Sequence, residues 1–215
     1  MVDRFELAGR LEQIAGSLME LVAELRRFAI GTYGDKVQLV APWVSQLGPG
    51  AEYAPGDCGP AIVAMWLRFL GHQVTVDEVS RQSGLDQGFR YTMPAHLIKA
   101  ARHWGLALYW RKGLTVADLV NELDAGRPCI VLVNYPSLPT RYSSTYRDGH
   151  WLLVVGYDEE GLIYHDPYFP SDPYSRNEDE MGAFLKISLA DFTRAWGNNH
   201  LNGNSDYQAL RGQQA

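Results

Sequence analysis

The stretch from Gly149 to Pro167 constrains this chain more than any other. It reads Gly149-His150-Trp151-Leu152-Leu153-Val154-Val155-Gly156-Tyr157, then Asp158-Glu159-Glu160-Gly161, then Leu162-Ile163-Tyr164-His165-Asp166-Pro167. Two apolar, β-prone runs flank a short polar turn, which is the pattern of a β-hairpin. A hairpin brings its ends together, so Asp166 returns to the end of the sheet where His150 opens the first strand. Pro167 cannot donate to a ladder and takes the chain out of the strand. A lone histidine at a strand edge is usually structural. One met by a returning carboxylate is a candidate for chemistry, because the carboxylate holds the imidazole in one tautomer and orientation.

Helices are expected ahead of this hairpin. They run from Cys58 to Gly71, from Val76 to Gln82 behind a Thr75 cap, from Met93 to Trp104 and from Val116 to Asp124. Val37 to Val40 is strand-like, and further strands are expected over Cys129 to Asn134, Trp151 to Tyr157, Leu162 to His165 and Ala183 to Ile187. A last helix covers Leu189 to Trp196. Helices first and strands later imply an α+β domain, not alternating βαβ units. The polar residues after Gly197 read as a loosely ordered tail.

The first segment, Val2 to Ile30, has no proline and reads as one long helix. Leu7, Leu11, Ile14, Leu18, Leu21, Leu25 and Phe28 alternate in steps of four and three, a heptad seam held for about three heptads. Such a seam either associates copies of the chain into a homo-oligomer or packs on its own domain. The glycines of Gly31-Thr32-Tyr33-Gly34 suit a helix end. The domain division is therefore 1–34 for this helix and 35–215 for the rest.

Composition removes several function classes. The 215 residues suit one domain with an appendage. A net charge of −6 with no basic stripe speaks against a nucleic-acid partner, because phosphate contacts need clustered Lys and Arg. No apolar run approaches a membrane span or a signal peptide, so no membrane association and a cytoplasmic location are expected. Two cysteines cannot make a disulfide framework. Cys129, in the apolar run Arg127-Pro128-Cys129-Ile130-Val131-Leu132-Val133, reads as a buried core thiol.

Cys58 is different. It stands at a helix start, in Gly56-Asp57-Cys58-Gly59-Pro60-Ala61, with Asp57 as the expected cap. Unpaired N–H groups and the positive end of the helix dipole favour an anion there, and a thiolate is such an anion. Pro60 fits the first turn, and Gly59 is expected to leave room for a substrate carbonyl. A cysteine nucleophile needs a histidine partner, which His150 can be. Gln46, upstream on the loop into this helix, can add an amide donor beside the Cys58 N–H to form an oxyanion hole. Asn134 to Arg147 is a long aromatic loop ending just before His150, expected to flank a substrate cleft. Trp151 is expected either to shield the His150–Asp166 bond or to fill the core. A zinc set of His150, His165 and Asp166 is disfavoured, because adjacent strand residues point to opposite faces.

Taken together, Ser45-Gln46, Asp57-Cys58-Gly59-Pro60-Ala61, the Gly149 to Tyr157 strand and His165-Asp166-Pro167 resemble the papain-like peptidases of the bacteriocin-leader-processing type. The likeness is greater to their stand-alone relatives, the peptidase C-thirty-nine-like family, and extends from about Val37 to Trp196. The resemblance implies a papain-like fold and a cysteine peptidase acting on a peptide or protein, with no cofactor. It assigns Cys58 as nucleophile, His150 as base, Asp166 as orienting residue and Gln46 as oxyanion donor. The loop between Gln46 and Cys58 is longer than in compact members, so substrate choice does not carry over. Two other readings use the same residues: a non-catalytic papain-like assembly module, and an acyl transferase or amidase with an amine acceptor in place of water.

Overall fold

The structure is a computed structural model that describes residues 36–48, 56–84, 91–170, 182–197 and 207–214. The chain divides into two units, Met1–Asp35 and Lys36–Ala215, and everything below belongs to the second. The expected heptad helix from Val2 to Ile30 lies outside the described residues.

The elements in chain order are β1 (Val37–Gln38), α1 (Cys58–Phe69), α2 (Val76–Ser83), α3 (Pro94–Arg102), β2 (Leu106–Arg111), α4 (Val116–Asp124) and β3 (Cys129–Asn134). A 3-10 turn (Tyr135–Ser137) follows, then β4 (Gly149–Asp158), β5 (Gly161–His165), β6 (Leu185–Ile187), α5 (Leu189–Gly197) and β7 (Ala209–Gln214). The strands form one mixed-order, fully antiparallel sheet in the sequence β2-β7-β3-β4-β5-β6, with β1 added along β4. This is the α+β architecture read from the sequence.

Local chemistry fixes the helix ends. Thr75 and Glu78 form a reciprocal capping box on α2, and Thr115 and Asp118 form one on α4. Gly84 closes α2 in the left-handed conformation at φ 72°. Helix α1 is buried from Cys58 to Leu67, which is why its sequence is apolar all round. Asp57 corrects one expectation. It occupies the N-cap position, but its side chain makes no cap. Its Oδ1 instead accepts from the Ser80 hydroxyl at 2.7 Å, pinning the start of α1 to α2.

Strand alternation sorts the core. Ile130, Leu132, Trp151, Leu153, Val155, Ile163 and Leu210 share one cluster with α1, α2 and α3 residues such as Ile62, Trp66, Val79 and Leu97. The alternate set, Cys129, Val131, Val133, Leu152 and Val154, is equally buried and faces the other way, toward α4 and α5. Covering both faces explains why β3 and β4 read as continuous apolar runs.

Strands β2 and β7 were not expected. The tail read as loosely ordered contributes β7, an interior strand that lies between the edge strand β2 and β3. Only Ala209 and Leu210 of it are fully buried apolar residues. Gly212 is set by packing: a Cβ there would stand 2.9 Å from Leu108 and Trp66. Backbone pairing to two neighbours, not an apolar pattern, makes this segment a strand.

Candidate active site

His150 lies near the start of β4, paired with Val133 at the end of β3, and is 1% exposed. Asp166 follows β5 and is fully buried. Their meeting depends on a bulge. Tyr157 pairs with Leu162 and Gly156 with Ile163, but the register then shifts, so that Val154 pairs with Tyr164 and Leu153 with His165. Continued pairing sets Asp166 opposite Leu152, on the same face as His150. Without the extra residue, Asp166 would oppose Leu153 and face the α1 core.

The imidazole Nε2 and the Asp166 Oδ1 are 2.7 Å apart. The same Oδ1 accepts from the Tyr168 backbone N–H at 2.7 Å, and the Asp166 N–H donates to the Gly182 carbonyl at 2.8 Å. The Cys58 side chain also acts on the imidazole. Burial resists charge on His150, but the Asp166 carboxylate and the Cys58 sulfur outweigh it and push the imidazole up to about 9. Cys58 itself is the first residue of α1 and is 6% exposed.

Gln46 reaches this place by backbone lacing. The His165 Nε2–H donates to the Ala41 carbonyl at 2.9 Å, and the Trp43 Nε1–H donates to the Asp166 carbonyl at 2.8 Å. The Gln46 N–H donates to the Pro167 carbonyl at 2.8 Å, and the Ser45 hydroxyl donates to the Phe169 carbonyl. Residues 41–46 are thus laid alongside 165–169, and Gln46 is buried beside the loop that carries Asp166.

His165 has a structural job. Its Nδ1 accepts from the Phe184 N–H at 3.0 Å while Nε2 serves Ala41, so both ring nitrogens are engaged by backbone. Burial pushes it down to about 4, and it stays neutral. Cys129 is fully buried with its thiol pushed far up by burial, and its sulfur lies 4.0 Å from the Leu119 carbonyl.

The shield around His150 is tyrosine. Rings of Tyr135, Tyr168 and Tyr146 have centroids 5.0, 5.9 and 6.5 Å from the imidazole. Tyr135 and Tyr146 come from the aromatic loop anticipated beside the cleft. Tyr168 was missed; its nearness to Asp166-Pro167 was the available signal. The Tyr146 hydroxyl donates to the Gly149 carbonyl at 3.0 Å, and burial followed by the Cys58 charge raises its phenol. Trp151 takes the core alternative. It alternates to the α1 face, is 2% exposed, and its Nε1–H donates to the Thr92 carbonyl at 2.9 Å. Gly59 also differs from expectation: a Cβ would meet Thr92 at 2.7 Å and Leu97 at 2.8 Å, so α1 packing takes the space assigned to a substrate carbonyl.

Residues 38–200 match the family model described as "Peptidase_C39 like family". Solved structures agree in fold. A Bacillus anthracis protein assigned as a C39-like peptidase has a TM-score of 0.56 at 17% identity, covering 84% of this chain and 98% of that one. A double glycine motif protease from an AMS/PCAT transporter, solved in complex with the leader peptide, has a TM-score of 0.51 at 17% identity, covering 83% and 95%. The peptidase domain of Streptococcus ComA, a bi-functional ABC transporter of a quorum sensing pathway, has a TM-score of 0.51 at 18% identity, covering 74% and 92%. No curated protein matches the sequence.

Proposed function

The chain belongs to the Peptidase_C39 like family, and from that premise we propose that it is a cysteine peptidase with Cys58 as nucleophile. The observation that carries this reading is the imidazole of His150 bonded to Asp166 Oδ1 at 2.7 Å and acted on by the side chain of Cys58, which stands at the start of a helix. A protonated His150 stabilises a thiolate, and the helix terminus favours the same charge.

The thiolate attacks the carbonyl carbon of a peptide bond, forming a C–S bond and an oxyanion. The Cys58 N–H and the Gln46 side-chain amide stabilise that oxyanion. Collapse breaks the C–N bond as His150 gives its proton to the leaving amine. The neutral imidazole then takes a proton from water, which attacks the thioester and frees the acid and the thiol. Asp166 keeps the ring in the Nε2–H tautomer and balances its charge during the first half. The tyrosines exclude water from that bond. A relative solved with a leader peptide supports a peptide as the substrate class.

The test is a peptide-library digest with the native protein and Cys58→Ala. The native protein is expected to yield defined cleavage products, and the variant none above background. Equal cleavage by both proteins would sink the mechanism.

A further inference from the structure

The far end of the sheet carries a second constellation, independent of the peptidase reading. A cavity of about 320 Å³ is lined by Arg111 of β2, Arg127 of the turn before β3, and Arg211 of β7, together with Glu122 of α4 and Tyr109. Tyr109 and Arg211 are cross-strand partners and share a sheet face. That face is opposite the one where Leu108 and Leu210 enter the α1 core. The cavity is remote from His150 along the strands. Leu210 pairs with Ile130 near the start of β3, whereas His150 pairs with Val133 near its end.

Charge accounting sets the ligand. Glu122 is 6% exposed and bonds two guanidiniums, Arg127 Nε at 2.6 Å and Arg211 Nη2 at 2.9 Å. One carboxylate balances one of these cations. Arg111 adds a third, and among the described residues its side chain bonds only its neighbour's carbonyl, that of Trp110, at 3.4 Å. Three guanidiniums and one carboxylate line the cavity, and Asp118, one turn before Glu122, also acts on Arg211, which leaves one positive charge. Arg127 engages Glu122 through Nε, which leaves its terminal amino groups for another acceptor. A carboxylate spreads one charge over two oxygens in one plane, as Glu122 does between Arg127 and Arg211. A phosphate fans tetrahedral oxygens toward several segments at once, and the three arginines come from β2, β7 and the turn before β3.

We infer that this cavity binds a phosphate group, held by Arg111, Arg127 and Arg211 with Glu122 fixing the latter two in place. Tyr109, 49% exposed at the rim, offers a ring to whatever the phosphate is attached to.

The experiment uses the full chain at pH 7.5 and constant ionic strength, with inorganic phosphate replacing chloride and the melting temperature as readout. A ligand that binds only the folded state raises that temperature by mass action. A saturating rise with phosphate is expected. Arg111→Gln, which removes no ion pair from the fold, is expected to weaken phosphate about tenfold or more, the worth of a charge-assisted hydrogen bond. Arg102→Gln, an exposed arginine outside the cavity, is expected to respond as the native protein does. The inference falls if chloride and phosphate act alike, if Arg111→Gln responds like the native chain, or if Arg102→Gln loses as much. Succinate at equal concentration tests shape; a dicarboxylate that binds as tightly overturns the phosphate assignment.

Discussion

At the scale of single residues, His150 carries the most consequential charge. Burial alone would keep it neutral, yet Asp166 and Cys58 raise it from 6.5 to about 9. The sign follows directly. A folded-state value above the unfolded one means that protonated His150 stabilises the fold. That contribution is fully present below about pH 6.5 and is lost as pH rises through about 9. The proposed chemistry has the same limb, because acylation needs the proton that His150 gives to the leaving amine. We expect kcat/KM to fall on the alkaline side near pH 9, and Asp166→Asn to move that limb downward by removing the strongest raising partner. Rate profiles of both proteins check this; a limb that stays put in the variant refutes it. The His150–Asp166 pairing was readable because a polar turn between two apolar runs dictates which ends meet. The tyrosine shield was readable in part: Tyr135 and Tyr146 belong to the aromatic loop expected beside the cleft, whereas Tyr168 sits in an irregular segment with no period to read.

At the scale of elements, the hairpin shows how far pattern reasoning goes. Alternating and apolar runs announced β3, β4, β5 and α4 almost to the residue. A regular hairpin, however, would have sent Asp166 to the wrong face, and the bulge between Val154 and Gly156 that corrects it left only Gly156 as its mark in the sequence. Such a bulge follows from tertiary fit, as does the role of Gly59. Gly59→Ala separates packing from catalysis. The added methyl would press on Thr92 and Leu97 at 2.7–2.8 Å, an overpacking that costs about 1–3 kcal/mol. The expected result is a melting temperature lowered by roughly 5 °C. If Gly59 instead only cleared space for a substrate, the melting temperature would stay fixed while KM rose.

At the scale of the whole molecule, sequence order and spatial order part company. We propose that the heptads of Val2 to Ile30 associate copies of the chain; light scattering on the full chain and on one starting at Asp35 is expected to give a larger particle for the former, and two monomers would remove the idea. The opposite end of the chain makes a stronger demand. Strand β7 is the last element, yet it is inserted between β2 and β3. Its polar composition hid it, since a strand recruited by pairing on both sides needs few apolar residues of its own. Ending the chain after residue 206 would strip backbone partners from both neighbours and uncover Trp66, Leu108 and Ile130 beneath Leu210 and Gly212. Cys129 is a built-in reporter of that event, being fully buried with a thiol held far above its ordinary range. In the full chain it is expected to resist a thiol reagent at neutral pH while Cys58 reacts. In the shortened chain both cysteines are expected to react, and cooperative thermal unfolding followed by circular dichroism should be lost. A shortened chain that melts sharply and protects Cys129 would show that the sheet closes without its final strand.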